Sequence, residues 1–172
     1  MEVLKPLILK HPFSKDFAPH HLHHLASCAT LAHFEPEQYI FHEAEEANAF
    51  YLIIEGEVAL ETQKPDGQPV VIQFLPAGEA LGWSWLAPPH HWRFDARAVK
   101  PTGLIVLDAG YLRAQCAADH EFGYALLQRL AIIIGQRLEV TRLKLSASYR
   151  QPDRFALAEE ETEEYHDWIS EP

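Results

Sequence analysis

Glu79 opens the stretch in which the sequence concentrates groups able to recognise a ligand. From Gly78 to Ala98 the chain reads GEALGWSWLAPPHHWRFDARA. A carboxylate at the mouth of a short helix needs a partner, because a buried and unpaired one is costly or becomes neutral. Hydroxyl groups of a ligand would meet that need. Free amide N–H groups at the start of a helix around residues 80–85 would suit an anion. Arg93 supplies a cation, Trp83, Trp85, Trp92 and Phe94 supply flat apolar surface, and His90 and His91 lie in the loop between. Such a set fits a flat ligand with one polar end. It equally fits the aromatic filling of a small β core. Asp95, two residues beyond Arg93, would share its strand face, where an ion pair would neutralise the cation.

Other reactive side chains are arranged less tellingly. In HHLHH, residues 20–24, His20 pairs with His24 at i, i+4 and with His23 at i, i+3. Helical His pairs of this kind suit zinc or nickel. No Cys, Asp or Glu nearby in sequence completes a set, so the run reads as a solvated helix face and no metal is expected. Cys28 and Cys116 lack metal-ligand spacing and read as buried free thiols. Ser84 stands between two Trp residues with no base assigned to it, and GxSxG, GxxxxGK[ST] and GxGxxG are all absent. The sequence gives no reason to expect catalysis or a bound cofactor.

The elements that must position these residues follow from composition and periodicity. A chain of 172 residues, 48% hydrophobic, is long enough for one domain with a full core. Its opening, MEVLKPLILKHP, is too short and too broken by Lys and Pro for a signal peptide, and no apolar run is long enough to span a membrane. A cytoplasmic location away from membranes is expected. The net charge is −11, and residues 153–172 hold eight acidic residues against Arg154 alone. That balance argues against nucleic-acid contact by this chain, which needs clustered Lys and Arg.

Residues 1–33 read as N-terminal helices, with Phe17, Leu22, Leu25, Ala26, Ala29 and Ala32 at helical spacing and Ser14 and Pro19 marking the starts. Residues 34–107 change to short alternating runs: Gln38–His42, Ala49–Ile54, Glu57–Thr62, Pro69–Phe74, Arg93–Val99 and Gly103–Leu107. Strands about ten residues apart predict a small barrel or jelly roll closed on itself. Lys64-Pro65-Asp66-Gly67 is a hairpin turn, with Pro fixing φ and Gly accepting a positive one. Residues 108–148 return to helix: a short one over Asp108–Cys116, then a long one capped by Asp119 and running to Ser148. Along it Leu127, Ala131, Ile134, Leu138, Thr141 and Leu145 form a coiled-coil seam, with Leu126, Leu130 and Ile133 as a neighbouring stripe. Gly135 in mid-helix costs about 1 kcal/mol against Ala, which a close approach of two backbones would explain. Residues 149–172 form an acidic tail after Gln151-Pro152, read as a tether, a docking segment or a lid.

Two stretches carry a family likeness. Gly78-Glu79, a short helix, then a basic residue ahead of a strand ending Arg97-Ala98 resemble the phosphate-binding cassette of cyclic nucleotide-binding domains, the sensors of Crp/Fnr-type regulators and of cyclic-nucleotide-dependent kinases. FYLIIEGEVAL, residues 50–60, resembles the same family's signature turn at Gly56. Pro36-Glu37 and Ala44 depart from it, standing where the family often has Gly. The resemblance covers residues 1–148 and does not extend to a helix-turn-helix domain. It implies a mostly β fold: a double-stranded β-helix (jelly-roll) barrel with N-terminal helices and a long C-terminal dimerisation helix.

The resemblance also implies a site of Gly78, Glu79, Ala80, Leu81, Trp92 and Arg93, lined by Trp83, Trp85, His91 and Phe94. In it Glu79 would hold a ribose hydroxyl of cAMP or cGMP and an Arg would hold the phosphate. By the family's spacing that Arg falls at Trp92, one residue before Arg93, and one step along a strand reverses the face. Either the longer loop through Pro88-Pro89 turns Arg93 inward, or the pocket takes no cyclic phosphate. A cupin enzyme is the rival jelly roll, since Pro76-Ala77-Gly78-Glu79 resembles its second motif. Leu81 stands where a metal-binding His would be needed, and His21-x-His23 lies off the barrel strands. Three functions remain: a cyclic-nucleotide sensor signalling through its C-terminal helix to a protein partner, a non-binding homodimerisation or docking module, and a sensor of another aromatic or anionic metabolite.

Overall fold

A computed structural model describes residues 4–64 and 67–148 of the chain. The 149–172 tail lies outside the described residues. The chain divides into two compact units, one ending at Ile134 and one starting at Gly135.

The first unit opens with helices α1 (Leu4–Lys10) and α2 (Pro19–Ser27), separated by a 3-10 turn at Pro12–Ser14. Pro19 sits in the first turn of α2, where its missing N–H costs nothing. Ser14 caps no helix; it ends the 3-10 turn and is buried. The expectation of helix to residue 33 is corrected here. Ala29–Phe34 is strand β1, paired antiparallel with β8 (Thr102–Asp108) from Ala29 opposite Leu107 to Phe34 opposite Thr102. A partner some seventy residues away overrides a weak local helical pattern.

The remaining strands are β2 (Tyr39–Phe41), β3 (Ala49–Glu55), β4 (Glu57–Gln63), β5 (Pro69–Pro76), β6 (Ala80–Leu81) and β7 (Asp95–Ala98). They form two antiparallel four-stranded sheets, in the orders β1-β8-β3-β6 and β2-β7-β4-β5. The eight strands make a roll-like sandwich and not one closed barrel, which corrects the expected closure. The β4–β5 hairpin keeps the predicted turn: the Gly67 amide donates to Lys64 O at 2.8 Å, and Gly67 has φ +80°. Gly56, between β3 and β4, has φ +85°, and a Cβ there would lie 2.4 Å from Pro101 O. Only glycine fits such an approach.

Strand β3 is buried on both faces from Ala49 to Ile53, so it reads as a continuous apolar run, AFYLII. Phe50 meets Phe13, with ring centroids 5.0 Å apart, and Trp85 at 6.0 Å. Its neighbour Tyr51 points to the opposite face, toward Phe41 and Trp92. Asp108 caps α3 (Ala109–Ala118), its Oδ1 accepting from the Tyr111 amide. Asp119 does the same for α4 (His120–Ser148), its Oδ1 accepting from the Glu121 and Phe122 amides at 3.1 and 3.0 Å. Phe122, Leu126 and Leu130 on the first part of α4 are fully buried. Of the seam positions, Leu127 and Ala131 are exposed and Ile134 is half-buried. Beyond Gly135 the described residues continue α4, and Leu138, Thr141 and Leu145 are exposed there.

Candidate functional site

Glu79 is half-buried one step before β6. The Ile53 amide donates to Glu79 O at 2.9 Å and the Gly78 amide to Ile53 O at 2.8 Å, so Glu79 stands opposite Ile53. Leu81 stands opposite Tyr51. Alternation along both strands carries residue 79 to the face shared by Tyr51 and Leu81. Among the described residues, nothing donates a hydrogen bond to its carboxylate. Gly78 has φ +92° and lines a cavity of about 170 Å³ with Lys10, His11, Pro12 and Ile53.

The helix expected over residues 80–85 is shorter than predicted. Ala80 and Leu81 are buried strand residues, and only Trp83–Leu86 forms a 3-10 turn, behind Gly82 at φ +85°. Ala80 and Leu81 take a strand because Leu52 and Tyr51 offer them a ladder.

Trp92 occupies the interior. It is 3% exposed and stacks on Phe41, with centroids 3.9 Å apart and planes 15° apart. Tyr51 packs against the same indole at 6.1 Å. The backbone fixes it as well: Trp92 N donates to Glu45 O at 2.9 Å, and Ala44 N donates to Trp92 O at 3.0 Å. A Cβ at Gly82 would come within 2.8 Å of the indole ring, so that glycine is shaped around Trp92.

Arg93 is exposed, in a bend before β7. The predicted strand from Arg93 begins only at Asp95, so the two are not strand neighbours. Asp95 is buried and turns elsewhere: Oδ1 accepts from the Glu43 amide at 2.8 Å and lies 3.3 Å from His42 Nδ1. The aromatic group is split by the sheet. Trp85 lies against Phe50 on one side, Trp92 against Tyr51 on the other, and Trp83 and Phe94 are half-buried. His91 is exposed, its Nδ1 2.8 Å from Pro89 O.

Sequence reasoning missed two groups. Phe41 and Tyr51, which face Trp92, look like ordinary strand residues locally. The deeply buried carboxylate is Glu61 on β4, 1% exposed and bound by Arg97 on β7. Hydrogen bonds from that guanidinium, with the Glu61 and Glu37 charges, raise the Arg97 pKa further above its ordinary value. An acidic residue inside the alternating run EVALE was the available signal. The HHLHH run is not a solvated face throughout: His21 is buried against Phe17 and Phe122, while His20 and His23 are exposed.

The cyclic nucleotide-binding domain model matches residues 31–119, just over half of the sequence. The chain belongs to the cyclic nucleotide-binding domain family. This is a family of regulatory ligand-binding domains, and in fold the domain here resembles the sensor domains of transcriptional regulators. The solved structures agree on the fold. A cyclic nucleotide-binding domain from Methylobacillus flagellatus is 19% identical, with a TM-score of 0.73, covering 88% of this chain and 85% of that one. The sensor domain of the transcriptional regulator DNR from Pseudomonas aeruginosa is 23% identical, with a TM-score of 0.65 and coverage of 80% and 93%. The N-terminal domain of a transcriptional regulator from Streptomyces coelicolor is 22% identical, with a TM-score of 0.61 and coverage of 86% and 99%. No curated protein matches the sequence. Among the described residues, no helix of this domain is long and apolar enough to cross a membrane.

Proposed function

We propose that this domain is a regulatory dimerisation module whose roll interior is filled by Trp92 and holds no cyclic nucleotide. The observation that carries this reading is the buried Trp92–Phe41 stack, at the position where the family likeness calls for a phosphate-binding Arg. Arg93 is exposed, and the other cation of this segment, Arg97, is committed to Glu61 and Glu37. A cyclic phosphate brought to Trp92 would displace stacked aromatic surface and find no cation to neutralise it. Output through α4 is supported by its apolar exposure, 69% at Leu138 and 59% at Leu145. A Cβ at Gly135 would meet nothing within 4 Å, which leaves room for a second helix there. A second copy of the chain would cover this seam, and a protein partner would read the dimer.

Titration calorimetry of the full chain with cAMP and cGMP tests the ligand half, with no binding heat expected. Light scattering tests the other half: wild type at twice the chain mass, Leu138→Glu at the monomer mass. The half-buried Glu79, with no hydrogen-bond donor at its carboxylate among the described residues, favours a second reading, a cyclic-nucleotide sensor with Glu79 on the ribose and Arg93 on the phosphate. Saturable cAMP binding abolished by both Glu79→Ala and Arg93→Ala would establish that sensor and overturn the first reading. Binding of an uncharged nucleoside that survives Arg93→Ala would point to a different aromatic metabolite.

A further inference from the structure

We propose that His20, His21 and Asp119 form a binding site for zinc or a similar borderline divalent transition metal, at the junction of α2 with the start of α4. One ligand atom from each of these three side chains lies within 4.8 Å of the other two. Asp119 is nearly a hundred residues from the histidines in sequence, so only the fold completes the set. His21 is 6% exposed, yet neither of its ring nitrogens has a hydrogen-bond partner. An imidazole always has an N–H to satisfy when neutral, and leaving buried polar groups unmatched is unfavourable. A metal on one nitrogen would remove part of that deficit.

The surroundings hold the three ligands in place. Phe17 and Phe122 pack against the His21 ring, at 6.3 and 5.7 Å between centroids. Asp119 is anchored by its capping bonds to the Glu121 and Phe122 amides. His24 Nε2 lies 3.5 Å from Asp119 Oδ2 and would steady the carboxylate from outside the ligand set. His20 is exposed and gives a cation an entry path from solvent. Two imidazoles and one carboxylate suit zinc, nickel or copper and not calcium or magnesium, which prefer all-oxygen shells. Ligand atoms around zinc sit about 2.0–2.2 Å from the metal, so binding would draw the three side chains together, with water completing the shell.

The test uses the full chain, stripped with chelator and titrated with zinc chloride by calorimetry, then with cobalt chloride by visible absorption. One zinc per chain is expected, with a cobalt spectrum of low-coordinate nitrogen and oxygen ligation. His20→Ala alters an exposed side chain, and Asp119→Ser removes the carboxylate while keeping a helix cap. Each should weaken zinc binding at least tenfold, as should His21→Gln where circular dichroism shows it folded. His33→Ala, at an exposed His paired with Glu55, should leave it unchanged. Absence of zinc binding to wild type, or zinc affinity unchanged in both His20→Ala and Asp119→Ser, would overturn the site.

Discussion

Arg97 on β7 holds Glu61 on β4 with two of its nitrogens: Nε lies 3.2 Å from both carboxylate oxygens, and Nη2 donates to Oε1. The third nitrogen, Nη1, donates to Glu37 at 2.6 Å. Forked geometry of this kind is specific to Arg and a carboxylate. It fastens two strands of one sheet on the face away from the Trp92 stack. It also commits the charge of Arg97 to two carboxylates.

Removing one partner should therefore cost more than an exposed ion pair would. Arg97→Ala leaves Glu61 buried and unpaired, and a loss of about 3 kcal/mol is expected, the low end for a buried pair because Arg97 keeps some exposure. Glu61→Gln retains acceptor and shape and should cost less. The urea unfolding midpoints of the two variants give the comparison, and equal midpoints would contradict the buried-charge argument.

Trp92→Ala would empty the roll interior. Large aromatic truncations in a core cost about 3–5 kcal/mol, and the Phe41 stack is lost with it. Gly82→Ala should also destabilise, since its Cβ would meet the indole at a backbone angle that side chains avoid. Thermal unfolding of both variants checks this. A Gly82→Ala protein as stable as wild type would mean that Trp92 yields easily.

Ala44 and Glu37 have φ of +68° and +71°, the left-handed conformation, at the positions where the family likeness expects glycine. Ala44 is exposed, so Ala44→Gly removes little packing. Relief of an αL alanine is worth about 1–2 kcal/mol, partly offset by about 0.4–1 kcal/mol of added freedom in the unfolded chain. A small rise in Tm is expected on calorimetric scanning, and a fall would count against strain at this turn.

His11 predicts acid sensitivity. Its Nε2 donates to Ile53 O at 3.1 Å and its Nδ1 accepts from the Phe13 amide at 3.2 Å, which requires the neutral ring. Burial lowers its pKa from the ordinary 6.5, against a smaller raising effect of the Ile53 bond. The unfolded chain therefore takes up the proton first, so stability rises with pH across this range. Stability should be full above pH 6.5 and fall as pH drops through 6.5 toward the lower folded value. Burial lowers the His21 pKa in the same direction. Tm measured against pH should decline more gently in His11→Asn, which keeps an acceptor for the Phe13 amide; an unchanged slope would exclude His11 as a cause.

What the sequence determined was local. Asp119 as a helix cap, the Lys64–Gly67 turn, the tight turn at Gly56 and the apolar stretch of β3 all depend on residues within a few positions of one another. Those signals, with the two family stretches, were enough to name the fold class. The tertiary structure decided everything that needs a distant partner. Residues 29–34 became a strand because β8 offered a ladder. Trp85 and Trp92, seven apart in sequence, went to opposite faces of β3 because Phe50 and Tyr51 point opposite ways. Glu61 found Arg97, and Asp119 found the histidines of α2, across separations that no spacing rule encodes. Propensity and turn chemistry act over one turn or one strand, whereas the partner of a buried charge or ring is fixed only when the sheets close over it.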